Sequence, residues 1–158
     1  MAEPSRGSRT QFCAIAPARY GRGAFWADDP VIRSIADRWI DWAQTTLQHD
    51  VLGGVFWGFY RAPGPQRDMP AVADKIARCA RHATLLDEAL ADRPYLGGHD
   101  LTLADIPAET SLYRYFGLDI GRPAIPLVEA WYRRLGDHTA YRQHVMMPFE
   151  TLWGRLNY

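Results

Sequence analysis

Six aromatic residues, Trp39, Trp42, Phe56, Trp57, Phe59 and Tyr60, stand within 22 positions of one another. Rings at that density either fill a helical core or form a wall on which a flat apolar molecule can lie. For any single ring both readings stand. Ile32, Ala36, Trp39, Ala43 and Leu47 recur at helical spacing and read as a core stripe. Trp42, Thr45, Thr46 and His49 fall on a different side of the same helix, Phe56 and Tyr60 are four apart, and Tyr113 can face the same cleft from a later helix. Rings interspersed with hydroxyls suit binding of a hydrophobic small molecule, with the hydroxyls fixing its orientation.

Other chemistries lack their residues. His49, His82, His99, His138 and His144 are scattered; Cys79 and His82, three apart, make half a metal site, and no second pair joins them, so no metal site is expected. Thr45 and Ser111 have no context that marks a nucleophile. There is no G-x-S-x-G, no phosphate-cradling glycine loop and no carboxylate pair spaced for acid-base work. The two cysteines, Cys13 and Cys79, follow no disulfide framework.

Leu101-Thr102-Leu103-Ala104-Asp105-Ile106 reads as a capping box inside a hydrophobic staple. Thr102 is the expected N-cap, its hydroxyl accepting a first-turn amide, and Asp105 reaches back to the Thr102 amide. This spacing explains Asp105 as a structural carboxylate rather than a catalytic one.

The elements that carry these residues are all helical. Pro30 after Asp29 opens a first helix, which weakens at Gly53-Gly54, where a kink is expected before it resumes over Val55–Tyr60. Pro63, Pro65 and Pro70 mark a loop. Val72, Ile76, Cys79, Ala83, Leu86 and Leu90 then step by three and four, an amphipathic stripe predicted to pack antiparallel on the first helix. The Thr102 helix is expected to run to Phe116, bent or tightened by Pro107; Leu127–Leu135 and Thr139–Val145 follow as shorter helices, and Pro148–Leu156 as a last turn or packed tail. No strand pattern and no repeat appear. The fold class is all-α, a bundle of about six helices.

Composition agrees with one domain. The chain has 158 residues, 47% hydrophobic and 23% charged. Lys+Arg and Asp+Glu are both 18, which gives no general attraction to nucleic acid. Lys75 is the only lysine. No apolar run approaches the roughly 18 residues of a membrane span, and no secretory h-region follows Arg6 and Arg9. A cytoplasmic location with reduced thiols is the expectation.

Several segments together resemble a known family. Tyr95-Leu96-Gly97-Gly98, then Leu101-Thr102-Leu103-Ala104-Asp105-Ile106-Pro107, then Tyr113-Arg114-Tyr115, is similar to the heart of the glutathione transferase C-terminal domain. Asp37–Trp42 resembles the first long helix of that domain in bacterial members. Pro126–Leu135 resembles its P-x-x-x-x-W-x-x-R-L helix, and Ala140–Val145 the segment after it. There His138-Thr139 replaces the Arg-Pro pair common in the family. The likeness covers residues 28–146. Ala14–Gly21 looks like the end of the family's N-terminal thioredoxin-like domain, with Pro17 out of place, and Met1–Thr10 fits nothing in the family.

The resemblance implies a glutathione transferase-like helical domain over residues 28–158, preceded over 1–27 by a flexible arm and a remnant of the interdomain linker. It implies a chain truncated before the half that binds and ionises glutathione. What remains is the hydrophobic-substrate and dimerisation half of a conjugating enzyme, expected to be inactive alone. Trp42, Thr45, Thr46, His49, Phe56, Tyr60 and Tyr113 are then the expected hydrophobic-substrate residues, and Thr102 and Asp105 the capping ones. No catalytic residue and no cofactor are expected. Glutathione enters as co-substrate only if a thioredoxin-like domain is supplied, as a separate partner; a homodimer is the other expected association. The alternative is a stand-alone binding module for hydrophobic small molecules or a protein partner.

Overall fold

The computed structural model describes residues 27–156. The arm expected over 1–27 lies outside them except for Ala27, and so does Cys13.

Helix α1 spans Pro30–Trp42. Asp29 caps it, its Oδ1 accepting the amides of Val31 at 2.7 Å and Ile32 at 3.4 Å, while Pro30 takes the first-turn place where no amide partner is needed. The helix then widens. Ala43–Leu47 (π1) and His49–Arg61 (π2) wind with bonds to the fifth residue back, as from the Gln48 amide to the Ala43 carbonyl and from the Ala62 amide to the Trp57 carbonyl. Such winding usually lasts a single turn, so this stretch is long for its kind.

At Gly53-Gly54, where a kink is expected, helical winding continues and π2 runs through both glycines. Gly54 has a packing use. A Cβ on Gly54 would stand 2.6 Å from Lys75 Cγ, so the bare backbone lets the next helix close in.

That next helix, α2, spans Met69–Ala89, capped by Asp68, which accepts the Ala71 amide at 3.1 Å. It runs antiparallel to the first: Val72 lies beside Gly58, Lys75 beside Gly54 and Asp50, and His82 beside Asp50 and Trp42. The buried side of the predicted stripe is Val72, Cys79, Ala83, Leu86 and Leu90, with Ile76 half-buried. Leaving that row wet would forfeit about 25 cal/mol for each Å² of apolar surface covered.

Helix α3, Ile106–Gly117, is the axis of the bundle and packs against α1, π1, π2 and α4 (Pro126–Asp137). Its regular winding starts at Ile106, four residues later than Thr102; Pro107 has no amide to give to Leu103, and 103–105 form turns instead. Helix α4 buries Val128, Trp131 and Leu135 and is capped from a distance, since Asp87 Oδ1 on α2 accepts the amides of Leu127 at 2.8 Å and Val128 at 3.0 Å. Helix α5, Thr139–His144, is pinned to α3 where the Tyr141 hydroxyl donates to the Glu109 carbonyl at 3.0 Å. The C-terminal stretch then folds back through a short 3-10 turn, Glu150–Leu152.

The architecture is all-α, with five α-helices, the π-wound extension of the first, and no named strand among the described residues. No helix among them is long and apolar enough to cross a membrane.

Candidate functional site

The wide winding of π2 bears directly on its rings. A wider turn brings residues four apart more nearly into line, and Phe56 and Tyr60 stack with centroids 5.6 Å apart and planes 10° from parallel. Tyr113 faces them from α3. All three rings meet one further ring that the sequence did not single out, Phe149. It makes edge contacts with Phe56 at 5.4 Å, Tyr60 at 5.2 Å and Tyr113 at 5.6 Å. Gly117 floors this seat, because a Cβ there would stand 2.7 Å from Phe149 Cζ. Arginines edge it. The Arg114 guanidinium lies 5.3 Å from the Phe56 ring centre, and Arg67 lies 4.3 Å from Trp153 and 5.2 Å from Phe59.

The stretch that carries Phe149 is tied down beyond it. Trp153 packs on Tyr60 at 4.9 Å and on Phe59 at 5.8 Å. The Gly154 amide donates to the Tyr60 carbonyl at 2.9 Å. Arg61, fully buried, donates from Nε to the Arg155 carbonyl at 2.8 Å and from Nη2 to that of Leu156 at 3.2 Å, with its guanidinium 4.0 Å from the Trp57 ring. Burial, and then the nearby Glu150 carboxylate, raise the phenol pKa of both Tyr60 and Tyr113.

The other expected residues have surroundings of their own. Trp42 packs edge-on against Trp39 at 5.5 Å and His82 at 5.7 Å, toward α2. Thr45 is exposed and donates to the Asp41 carbonyl at 2.7 Å, Thr46 is half-buried beside it, and His49 is exposed. No described ring contact joins Trp42 to the Phe56–Tyr60–Tyr113 group. Phe56, Tyr60 and Tyr113 are brought together around Phe149, while Trp42, Thr45, Thr46 and His49 lie on α1, π1 and the start of π2.

Between π2 and α2 lies a polar cluster with no motif to announce it. Asp50, 4% exposed, receives Lys75 Nζ at 2.7 Å and faces His82 Nε2 at 2.9 Å. Burial alone would push the Asp50 carboxyl up; the hydrogen bonds and charges of Lys75 and His82 outweigh it, and its pKa lies below the ordinary value. Cys79 sits next to this cluster, and burial, with the Asp50 charge, pushes its thiol up to about 12. A thiol held so far from ionisation is a packing residue, not a nucleophile. No group of three or more metal-ligating side chains occurs among the described residues.

Thr102 and Asp105 make reciprocal bonds. The Thr102 hydroxyl accepts the Ala104 amide at 3.2 Å, and Asp105 Oδ2 accepts the Thr102 amide at 3.0 Å and hydroxyl at 3.2 Å. Asp105 Oδ1 reaches further and accepts the Leu96 amide at 2.8 Å, tying the preceding loop to the helix start. That loop needs both glycines: Gly98 has φ of 136°, and a Cβ on Gly97 would collide with the Thr102 side chain. Asp105 is completely buried, and burial raises its pKa against those bonds; the Trp131 indole nitrogen lies nearby outside hydrogen-bonding geometry. One turn on, Glu109 is 7% exposed, and burial, then the Asp105 charge, push its carboxyl up to about 8.

Comparison with known proteins bears on the family and the fold. The family described as "Glutathione S-transferase, C-terminal domain" matches residues 48–137. Glutathione S-transferase GstB of Escherichia coli is 31% identical over 131 residues, 83% of this chain; the chain spans only 62% of that relative's length. The theta class glutathione S-transferase of Xanthomonas axonopodis pv. citri, solved with glutathione bound, superposes with a TM-score of 0.83 at 32% identity, over 88% of this chain and 72% of that one. A Bombyx mori glutathione transferase, 17% identical with a TM-score of 0.73 over 88% of this chain and 63% of its own, shares the fold. The chain belongs to the glutathione S-transferase family, through its C-terminal helical domain.

Proposed function

We propose that the chain provides the hydrophobic-substrate half of a glutathione-conjugating enzyme. The observation that carries this reading is the convergence of Phe56, Tyr60 and Tyr113, from two helices, on one ring-sized seat. In the proposed reaction a glutathione thiolate attacks an electrophilic carbon held against these rings. A carbon–sulfur bond forms as the leaving group departs with its electron pair. The thiolate is bound and ionised by a thioredoxin-like domain, and this chain holds and orients the apolar partner. Trp42, Thr45, Thr46 and His49 are proposed to border this wall rather than to touch the reacting carbon.

A second reading is a binding module for hydrophobic compounds that performs no chemistry. It is favoured by the seat being lined by this chain's own rings, Phe56, Tyr60 and Tyr113. Purified 158-residue protein is assayed with glutathione and 1-chloro-2,4-dinitrobenzene, alone and with an added thioredoxin-like domain from a relative. The transferase reading expects background rate alone and a rate above the added domain's own in the mixture, lost in Tyr113→Ala. Retained binding of a hydrophobic dye without any gain in the mixture favours the second reading. A full rate from the chain alone overturns both.

A further inference from the structure

We propose that the seam between the first helix and α2 holds a second ligand site, in which His82 Nδ1 accepts the hydroxyl of a phenolic compound whose ring lies against Trp42. The inference does not rest on the ring wall of Phe56, Tyr60 and Tyr113. Trp42 has its place along the first helix, but the ring contacts it makes are here, with His82 and Trp39.

Asp50 fixes the state of the imidazole. The Lys75 ammonium can only donate, so Asp50 Oδ1 accepts from it at 2.7 Å. An ionised carboxylate has no proton to give, so the contact of His82 Nε2 with Asp50 Oδ2 at 2.9 Å is an N–H donating to oxygen. The neutral ring carries one proton. With that proton on Nε2, Nδ1 keeps its lone pair. Nδ1 makes no hydrogen bond among the described residues, and it is not one of the buried polar atoms left without a partner. The His82 side chain is 15% exposed, so this acceptor lies where solvent reaches it. Satisfying Asp50 takes one ring nitrogen; the other is an oriented acceptor open to a donor from outside.

The surroundings of that acceptor are aromatic. Trp42 meets the His82 ring edge-on at 5.7 Å and 84°, and meets Trp39 at 5.5 Å and 89°. Both tryptophans are half-buried, so each keeps part of its ring open. Leu85, three residues on from His82 along α2, is 43% exposed and extends the apolar surface. Ring faces and edges reward a planar partner, which they hold in stacked or edge-on contact. One oriented acceptor beside them rewards a single donor. A phenol supplies both in one small molecule. An aryl ether brings the ring without the donor. Asp50 is then a positioning residue, since it acts on the ligand only through the proton it holds on Nε2.

The test uses the full chain with 2-naphthol as probe and 2-methoxynaphthalene as the control that lacks the donor. Affinity is read by calorimetry, and the state of His82 by nitrogen NMR of its imidazole. Naphthol is expected to bind about tenfold more tightly than the ether, and to shift the Nδ1 resonance while Nε2 stays protonated. His82→Phe should bring naphthol down to the affinity of the ether, and Trp42→Leu should weaken both. Asp50→Asn should weaken naphthol alone and move the ring proton toward Nδ1, because an amide can donate to Nε2. The comparison of naphthol with its ether and the nitrogen spectra use the unaltered chain, so they decide the matter even where a variant folds poorly. Equal affinity for the two compounds, or an Nε2 without its proton in the free protein, would overturn the proposal. Naphthol binding that Tyr113→Ala abolishes while the His82 nitrogens stay unmoved would place the compound on the ring wall; the second site then fails and the wall reading stands.

Discussion

Asp105 is one carboxylate serving three donors, two amides and a hydroxyl, from the stretch that leads into α3. Removing it leaves buried amides without acceptors, which costs more than a surface cap would. Asp105→Ala is expected to lower unfolding stability by about 2–4 kcal/mol. Thr102→Ala should cost about 1 kcal/mol, and the double variant less than the sum, because one reciprocal motif is lost in both. Denaturant titrations of the two single variants and the double check this; strict additivity would show the bonds to be independent. Glu109 makes a pH prediction. Its carboxyl is raised from the ordinary 4.5 to about 8. Between those values the unfolded chain has released the proton and the folded one keeps it, so stability falls as pH rises from 4.5 and levels off above 8. Glu109→Gln should flatten that slope, matching the wild type near pH 4 and exceeding it near pH 8. Melting curves across that range decide it; parallel curves for the two proteins would refute the assignment. Asp50 acts oppositely: its pKa is lowered, so its contribution is present above the ordinary 3.8 and is lost as pH falls through the lower folded value.

At the scale of elements, what could be read from the sequence was whatever is local. The three-and-four stepping of α2, the Asp29-Pro30 start and the Thr102–Asp105 spacing depend on neighbours within a turn or two, and each has its counterpart in the bonds described. What could not be read depends on partners far along the chain. The closeness of Gly54 to Lys75, a helix away, leaves no trace in local spacing. The α4 start has no capping side chain of its own; its acceptor, Asp87, is 40 residues earlier. Asp87→Ala is therefore expected to cost about 1–2 kcal/mol, although it lies in a different helix from the one it caps. Amide exchange at Leu127 and Val128 should quicken in that variant while the start of α2 stays protected; unchanged exchange at both would show that water replaces the cap at no cost. The candidate site divides the same way. Phe56 and Tyr60 were legible from spacing on one helix, whereas Phe149, which completes the seat, joins through a fold-back that no periodicity encodes.

At the scale of the whole molecule, the bundle is closed by two different kinds of seam. Around α3 Leu112, Tyr115, Val128 and Trp131 are buried together, with the Asp105 and Glu109 carboxyls the buried acids beside them. Between π2 and α2 the seam includes a charge cluster, where Asp50 satisfies Lys75 and His82 at once. Lys75→Met should remove the shorter of these bonds and leave the buried carboxylate half-paired, lowering stability by about 2 kcal/mol. A thermal melt tests it, and an unchanged midpoint would mean that His82 alone suffices for Asp50.

The same residue gives the molecule a chemical address. Lys75 is the sole lysine in the sequence, so an acylating reagent finds one side-chain amine in the whole chain; that amine is engaged with Asp50, and the stem that carries it lies against Gly54. An amide formed at Nζ would erase its charge and add bulk where the two helices meet most closely. Acylation should therefore be slow in the native protein and, once it occurs, should wedge the seam open. The extent of modification on the peptide that carries Lys75 would then count how often π2 and α2 part, without any label having been introduced.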